Sequence, residues 1–312
     1  MSIRDRLNEL YNRRLPNQFN IVDASLVHDI FFGTDQVNRP TLLIKTPDEL
    51  STKLNLQVID VRSIRQPDNT YNAVIVLIDS DLLPLFISFC EDLCIHLAEC
   101  PYKTLTRNLH NRIIRWQEMF KRGKSNILTE SEIRGLFGEL YILERIITHN
   151  QYDLNTILTS WIGSENSDQD FIFPNLAVEV KTLPHNQTNI RISSESQLDL
   201  SHKDLYVVCL QLTHDNAGLS LNNLERRIIA LLNDEYVLDL FHKKLSIRGY
   251  ISIPQYEEYR FSIHHISSYQ VTAEFPAIRK SLLPAGISAV SYSISLDALA
   301  PFQTPSPIGD LL

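Results

Sequence analysis

The sequence predicts a mixed α/β or α+β fold built around one central sheet. Strand-like and helix-like patterns follow each other along the whole chain, some with alternating apolar residues and others with a helical apolar stripe. With 312 residues, of which 44% are hydrophobic and 21% charged, the chain has the composition of an ordinary globular protein. This length allows one large domain or a core with an extension, and we expect the second arrangement.

The N-terminal part of the chain, residues 1–125, is predicted to form an α/β region of its own. Its apolar patterns predict three strands and then a helix, over residues 41–45, 55–61, 72–78 and 79–98. The segment KRGKS at 121–125 is polar, contains a glycine and separates two helical patterns, so it predicts the end of this region. Recognition of DNA or of a partner protein is compatible with such an extension.

Residues 126–312 are predicted to form the core, which ends in additional strands. Thr129 and Glu132 have the spacing of a capping box, so a helix should begin at Thr129. The apolar stripe of this helix comprises Ile133, Leu136, Phe137, Leu140, Leu143 and Ile147. The later patterns predict a strand, an amphipathic helix and two closing strands, over residues 205–212, 221–234, 260–272 and 287–296.

Charge is distributed unevenly along the chain. The net charge of −8 argues against a surface that binds nucleic acid on every side, but it is compatible with one basic face. Residues 103–124 carry the largest local excess of basic residues, with Glu118 as the one acid. A solvated helix face is the usual explanation of such a run, and a phosphate-facing patch is the alternative. The candidate DNA contacts in this patch are Arg112, Arg115, Lys121, Arg122 and Lys124.

The sequence predicts a cytoplasmic protein without membrane association. Its longest apolar stretches, such as residues 73–78, are too short to cross a bilayer, and the first residues lack the apolar block of a signal peptide. Four cysteines do not suggest a disulfide framework, and their spacing favours buried thiols over a zinc site.

The segment DFIFPNLAVEVKT, residues 170–182, predicts a β-hairpin that carries charges among apolar residues. Pro174 and Asn175 are turn residues, and a two-residue loop between the strands places Asp170 directly opposite Glu179. Opposed side chains in a hairpin have their β-carbons roughly 5 Å apart. Because proline cannot supply the positive φ of the favoured turns, a wider loop is the alternative, and the two acids remain close in it.

The hairpin also brings a lysine to the same place. Alternation puts Glu179 and Lys181 on one face of the strand and its valines on the other, so the strand should bury the valines and expose the charges. Two carboxylates about 5 Å apart repel each other by roughly 3 kcal/mol at an effective dielectric constant near 20. A divalent cation such as Mg²⁺ would offset this repulsion, because carboxylate oxygens are its preferred ligands.

The residues leave two interpretations of this hairpin open. It is either a metal site or a surface hairpin with an incidental salt bridge between Lys181 and one acid. The polar segment 160–170, which leads into Asp170, favours the metal site. Asp168 shares the face of Asp170 if the first strand extends backwards, which makes it a reserve ligand.

An acid, a two-stranded hairpin and Glu-x-Lys on the second strand resemble the PD-(D/E)XK nuclease superfamily. The pattern here is Asp170, eight further residues, and then Glu179-Val180-Lys181. Together with this hairpin, three segments closely resemble a family of largely uncharacterised bacterial PD-(D/E)XK proteins of similar length: GLFGELYILERI (135–146), SWIG (160–163) and QL (197–198). The likeness covers most of the chain, although Gln169 stands where the superfamily name has a proline. It implies a restriction-endonuclease-like core with an N-terminal α/β extension and C-terminal strands.

The resemblance implies roles for individual residues. Asp170, Glu179 and the main-chain carbonyl of Val180 would bind the metal, with Mg²⁺ as the expected ion and Mn²⁺ as a substitute. Lys181 would position the attacking water and stabilise the charge that develops on the phosphate.

Two further side chains complete the implied site. Glu139 lies on the flank of the apolar stripe of its helix and would hold a metal-bound water or a second ion. Glu144 lies closer to that stripe and competes for this role. Gln197 would be a polar helper, and a residue on a helix surface is its alternative.

The implied activity is metal-dependent hydrolysis of phosphodiester bonds in DNA by a restriction or phage-defence endonuclease. Arg134 and Arg191 would add DNA contacts near the cleft. A homodimer, or assembly with other defence-system subunits, would supply the two sites that cutting both strands often takes. The alternative is a catalytically silent DNA-binding or assembly subunit with the same fold. A retaining glycosidase is disfavoured, because the lysine beside Glu179 has no role there and only two tryptophans could stack on sugars.

Overall fold

The computed structural model describes residues 2–51, 58–98, 100–121, 128–149, 152–163, 167–199 and 204–307. The chain divides into two compact units. The first comprises Met1–Ile127 and Gly249–Ile253, and the second comprises Leu128–Arg248 and Pro254–Leu312. Each unit has a five-stranded sheet of its own, so the prediction of one central sheet is wrong. The predicted mixture of helices and strands is confirmed.

The first unit contains an antiparallel sheet with strand order β1-β2-β3-β5-β4. Its elements are α1 (Ile3–Asn12), β1 (Phe19–Ile21), β2 (Ile30–Thr34), β3 (Pro40–Thr46), β4 (Ile59–Arg65), β5 (Tyr71–Leu77), α2 (Leu83–Leu97) and α3 (Leu105–Lys121). The predicted strands at 41–45 and 72–78 and the helix predicted over 79–98 are confirmed. The predicted strand at 55–61 corresponds to β4, and its residues 55–57 lie outside the described residues.

A buried ion pair joins α2 to α3. The Asp92 carboxylate accepts hydrogen bonds from Arg112 Nε at 2.7 Å and Nη2 at 2.5 Å, and from Trp116 Nε1 at 2.7 Å. The Arg112 side chain is only 8% exposed. The prediction that Arg112 contacts DNA is therefore wrong, because its guanidinium is enclosed between two helices and paired with a carboxylate.

The second unit contains a mixed sheet with strand order β12-β10-β9-β7-β6, in which β7 and β9 are parallel. Its helices are α4 (Glu130–His149), α5 (Leu154–Ser160), α6 (Leu221–Leu231), α7 (Glu235–Ile247) and α8 (Leu296–Leu299). Its strands are β6 (Phe171–Ile172), β7 (Leu176–Pro184), β8 (Asn189–Ile192), β9 (Asp204–Leu219), β10 (Phe261–Gln270), β11 (Tyr292–Ser295) and β12 (Gln303–Thr304). The pair β8–β11 forms a separate two-stranded sheet.

Helix α4 begins as its capping box predicts and packs against β7. The Thr129 N–H donates to Glu132 Oε2 at 2.8 Å, and the Glu132 N–H donates to Thr129 Oγ1 at 3.3 Å. Gly138 permits the close approach of helix and strand, because a β-carbon there would lie 2.4 Å from Thr182 Cγ2. Neither α4 nor any other helix in the described ranges is both long and apolar enough to cross a membrane.

The hairpin of β6 and β7 has the predicted register, with Phe171 paired to Val178 and Ile172 to Ala177. Continuing this register by one residue places Asp170 opposite Glu179, as predicted. The expectation that β7 exposes its charged face is wrong, because Glu179 is only 3% exposed. The reason is tertiary: β7 lies between β6 and β9, and neighbouring segments cover both of its faces.

Candidate active site

Four segments of the second unit bring the predicted catalytic side chains together. Asp170 immediately precedes β6, while Glu179 and Lys181 lie two residues apart on β7. Glu139 comes from α4, and Gln197 comes from a turn that follows β8. The residues thus converge from a helix, one strand, the residue before another strand and a turn, which the sequence separates by up to about sixty positions.

Asp170 is fixed through both its backbone and its side chain. Its carbonyl accepts hydrogen bonds from the Ile162 N–H at 2.9 Å and the Gly163 N–H at 3.0 Å. Its Oδ2 accepts a hydrogen bond from the Val180 N–H at 2.8 Å. If the hairpin pairing continued, this N–H would instead bond to the carbonyl of residue 169. Because the N–H and C=O of one strand residue point to the same side, the Val180 carbonyl also faces this edge of β7.

Glu179, Lys181 and Gln197 form a closed triangle of polar contacts. Lys181 Nζ lies 2.7 Å from Glu179 Oε1 and donates to Gln197 Oε1 at 3.2 Å. Gln197 Nε2 donates to Glu179 Oε1 at 3.0 Å, and Gln197 Oε1 also accepts from the Ser193 N–H at 2.8 Å. Gln197 thus holds the acid and the lysine together from a turn, and the helix-surface alternative for this residue is wrong.

Glu139 points toward the same centre and is held by two partners. Its Oε2 accepts a hydrogen bond from Trp161 Nε1 at 2.9 Å, and its Oε1 is paired with Arg248 Nη2. The competing candidate, Glu144, is paired instead with Arg227 Nε at 2.6 Å on α6. Of the two candidate acids on α4, Glu139 is therefore the one beside the site.

Arg248 is a site residue that the sequence interpretation missed. It follows α7, a helix that was not among the predicted elements. The available signal was the basic cluster HKKLSIR at 242–248, which carries two lysines and an arginine within six residues. That cluster gives no indication of its partner, because Glu139 lies 109 positions earlier in the chain.

Burial makes all three acids harder to ionise, and the charge of Asp170 adds to this effect at Glu139 and Glu179. Burial, reinforced by the charge of Asp170, holds the pKa of Glu179 well above its usual range. Burial and the charge of Asp170 likewise raise the pKa of Glu139 to about 7, although Arg248 opposes this shift. Burial raises the pKa of Asp170 as well, against the Val180 N–H and the charges of Lys181 and Arg248. The cluster therefore has a deficit of positive charge.

The acids of the site differ in how well they fit a divalent ion. Within the described ranges, no group of three or more His, Cys, Asp or Glu side chains is arranged to hold a metal, and Glu139 is already occupied by Trp161 and Arg248. Glu179 Oε2, however, is buried and has no hydrogen-bond partner among the described residues. A buried carboxylate oxygen without a partner is costly, and a cation beside it would remove that cost. Asp170 and Glu179 fit a divalent ion.

The remaining predicted residues are dispersed. Arg115 is partly exposed on α3 in the first unit. Arg122, Lys124 and the side chain of Lys121 lie outside the described residues. Arg134 pairs with Glu130 one turn earlier on α4.

Two further predicted residues lie on the surface. Arg191 is exposed on β8, where its backbone pairs with Ser293. Asp168 is exposed as well, and β6 begins only at Phe171, so the first strand does not extend backwards to bring this acid onto the face of Asp170. The condition under which Asp168 would be a reserve ligand is therefore not met.

A comparison with family models identifies the chain. The family described as "Putative PD-(D/E)XK family member, (DUF4420)" matches residues 7–297. The chain belongs to this family. No curated protein and no solved structure matches it.

Membership of the DUF4420 family confirms the resemblance seen in the sequence. The PD-(D/E)XK superfamily consists generally of hydrolytic nucleases, and its members typically use divalent metals. A nuclease-type function is therefore indicated for this DUF4420 protein, with DNA as the substrate that such a family suggests.

The raised acid pKa values predict how stability depends on pH. The folded, metal-free protein holds protons on these acids more tightly than the unfolded chain does. The contribution of each acid to stability is therefore complete below its unfolded pKa, which is 3.8 for Asp170 and 4.5 for the two glutamates, and is lost as the pH rises, for Glu139 through about 7. We expect the free energy of unfolding to fall by about 1–3 kcal/mol between pH 5 and pH 9 in urea titrations with EDTA.

The variant Glu179→Gln isolates the contribution of one acid. It keeps an oxygen for Lys181 and removes the ionisation, so its stability should decline less steeply with pH than that of the wild type. Glu258→Gln, which removes an exposed carboxylate from the same unit, is the control. If the wild type and Glu179→Gln gave parallel curves, Glu179 would not carry the shift.

Proposed function

We propose that this protein is a divalent-metal-dependent DNA nuclease that hydrolyses phosphodiester bonds. The observation that carries the proposal is the convergence of Asp170, Glu179 and Lys181 at one edge of β7, in the register that the hairpin predicts. The buried and unpartnered Glu179 Oε2 supports a cation at this point. A stable protein gains nothing from placing the buried Glu179 beside the half-buried Asp170, so the arrangement is explained by function.

The ligands of the ion would be Asp170, Glu179 and the carbonyl of Val180, with Mg²⁺ as the ion and Mn²⁺ as a substitute. A divalent ion bound there lowers the pKa of water and polarises the phosphate. The protein supplies the remaining chemistry. Lys181 orients the attacking water and stabilises the charge that develops on the phosphate oxygens.

Two other side chains keep these groups in place. Gln197 bridges Lys181 and Glu179, so it fixes the ammonium group relative to the acid. Glu139, which Trp161 holds by the indole N–H, would orient a second water at the same centre. A local rearrangement in either support would shift the reacting groups, and misplacement by about 1 Å can cost about a hundredfold in rate.

The proposed biological setting is restriction or phage defence in the bacterial cytoplasm, which the family resemblance supports. A homodimer, or assembly with other defence-system subunits, would place two such sites on one duplex. Arg191, which is exposed on β8 of the second unit, and Arg115 on α3 of the first unit remain proposed DNA contacts. Arg134 also remains a proposed DNA contact, and this contact requires that its ion pair with Glu130 breaks.

The test is incubation of the full chain with methylated and unmethylated plasmid in the presence of Mg²⁺, Mn²⁺ or EDTA. We expect cleavage with a divalent ion, none with EDTA and none by the variant Asp170→Ala, which removes a proposed ligand. Cleavage by Asp170→Ala at the wild-type rate would refute the site. DNA binding without cleavage under every condition would assign the chain to the alternative function, a catalytically silent binding or assembly subunit.

A further inference from the structure

The side chain of Arg248 lies beside the candidate site and is partly exposed. Its guanidinium is paired with the buried Glu139 carboxylate, yet the arginine side chain is 31% exposed. By contrast, Lys181 is 14% exposed and is enclosed between Glu179 and Gln197. Both cations act on Asp170, since each lowers the pKa that burial raises. Of these two cations, Arg248 is the one that solvent and a substrate reach more easily.

The backbone of Arg248 is fixed relative to Asp170. Its N–H closes the C-terminal turn of α7 by bonding to the Lys244 and Ser246 carbonyls. The buried Lys244 donates from Nζ to the Trp161 carbonyl at 2.5 Å. The next two residues after Trp161 donate their N–H groups to the Asp170 carbonyl. The helix end and Asp170 are therefore linked through one turn, which fixes the position from which the arginine side chain extends.

The charges around the site favour a cation that can contact the substrate at this position. Glu139, Asp170 and Glu179 face Lys181 and Arg248, so three carboxylates meet two cations before any phosphate arrives. A phosphodiester adds a further negative charge, which the acids repel. A guanidinium presents planar N–H donors that match phosphate oxygens, and its charge persists at every physiological pH.

We propose that Arg248 is a phosphate-binding residue of the site, whose guanidinium is held by Glu139 in the free protein and contacts a phosphodiester oxygen of the bound nucleic acid. This inference rests on the proposed nuclease function and adds a substrate contact to it. The contact also explains why a cation that pairs with a buried acid remains partly open to solvent.

The experiment measures binding of a labelled DNA duplex by fluorescence anisotropy over a range of salt concentrations. It uses the full chain in a Lys181→Ala background with Mg²⁺, so that little of the duplex is cut during the measurement. The variants are Arg248→Gln, which removes the charge, and Arg248→Lys, which keeps the charge without the planar fork. The control is Arg226→Gln, because this 65%-exposed arginine also pairs with a carboxylate, Glu257, but not with an acid of the site.

We expect Arg248→Gln to weaken binding about tenfold, which is typical for loss of a charged hydrogen bond. The slope of log K against log salt should become shallower by about one, because one phosphate is no longer neutralised. Arg248→Lys should retain the slope. Because its lysine can still pair with Glu139, this variant replaces Arg248→Gln in the comparison if Arg248→Gln does not fold. Arg226→Gln should bind like its parent.

An unchanged slope and affinity in Arg248→Gln would overturn the inference and leave Arg248 as a residue that only positions Glu139. Equal losses in Arg248→Gln and Arg226→Gln would also overturn it, because they would reflect net charge alone. Should Arg248→Gln not fold, a shallower slope in Arg248→Lys would overturn it. If the wild type cleaves DNA while Arg248 proves silent, only this inference fails. If the wild type neither binds nor cleaves nucleic acid, the proposed function and the inference fail together.

Discussion

Replacing Lys181 with methionine should lower the rate of metal-dependent DNA cleavage about 10²- to 10³-fold while the protein stays folded. The lysine side chain is largely buried, and its Nζ lies 2.7 Å from Glu179 Oε1 and 3.2 Å from Gln197 Oε1. Methionine keeps the length of the stem and removes the ammonium group. The variant therefore loses the cation that would stabilise negative charge on the phosphate, with little change in packing.

The measurement is the single-turnover rate of cleavage at saturating enzyme, which reports the chemical step without substrate binding. Calorimetric titration with Mn²⁺ should still detect an ion at Asp170 and Glu179. The control is Lys243→Met, an exposed lysine on α7, and its rate should equal that of the wild type. If Lys181→Met cleaved as fast as Lys243→Met, the proposed role of Lys181 in the transition state would be wrong.

The local part of this site could be predicted from the sequence because its contacts are local. Turn residues Pro174 and Asn175 fix the hairpin register, and the register alone places Asp170 opposite Glu179. The capping box at Thr129 likewise fixes the start of α4 within four residues. In both cases the residues that decide the structure are close together in the chain.

The burial of Glu179 could not be predicted in this way. Strand β7 is covered because β9, which begins at Asp204, pairs with it in parallel across a long connection. A strand pattern read alone cannot distinguish an exposed polar face from one that a neighbouring segment covers. For the same reason the basic run at 103–124 concealed an inward-facing residue, Arg112, whose partner Asp92 lies on another helix.

The ion pair of Arg248 with Glu139 shows the limit of motif reasoning. The resemblance identifies acids and a lysine by their spacing, but α7 contributes its arginine from outside every matched motif. Such a contact depends on how α7 packs near the turn at Trp161, which is a tertiary property. The spacing of residues in the sequence therefore indicates the acids and the lysine of the site, whereas the contribution of Arg248 depends on tertiary packing.

Replacing Gly163 with alanine should lower cleavage about a hundredfold or more and destabilise the protein by about 1–3 kcal/mol. A β-carbon at this position would lie 2.5 Å from Asp170 Oδ1 and 3.2 Å from Glu139 Oε2. Real β-carbons do not tolerate the shorter distance, so either the carboxylate or the turn must move.

Neither group can move without losing a contact. Rotation of the Asp170 carboxylate breaks the 2.8 Å hydrogen bond from the Val180 N–H to Oδ2. Displacement of the turn breaks the bonds that the Ile162 and Gly163 N–H groups make to the Asp170 carbonyl. The methyl group would also fill space between two acids that a bound ion or its water requires. Activity should therefore fall further than stability alone explains.

Gly135→Ala is the matched control, because a β-carbon at Gly135 on α4 would meet nothing within 4 Å. Alanine in that helix should leave cleavage unchanged and stabilise the protein by about 0.5–1 kcal/mol. Both variants are compared by cleavage rate and by urea unfolding. A Gly163→Ala protein that unfolds earlier but cleaves at the wild-type rate would show that the space beside Asp170 and Glu139 has no part in catalysis. Loss of cleavage at a denaturant concentration where both variants are fully folded would show that this space belongs to the site.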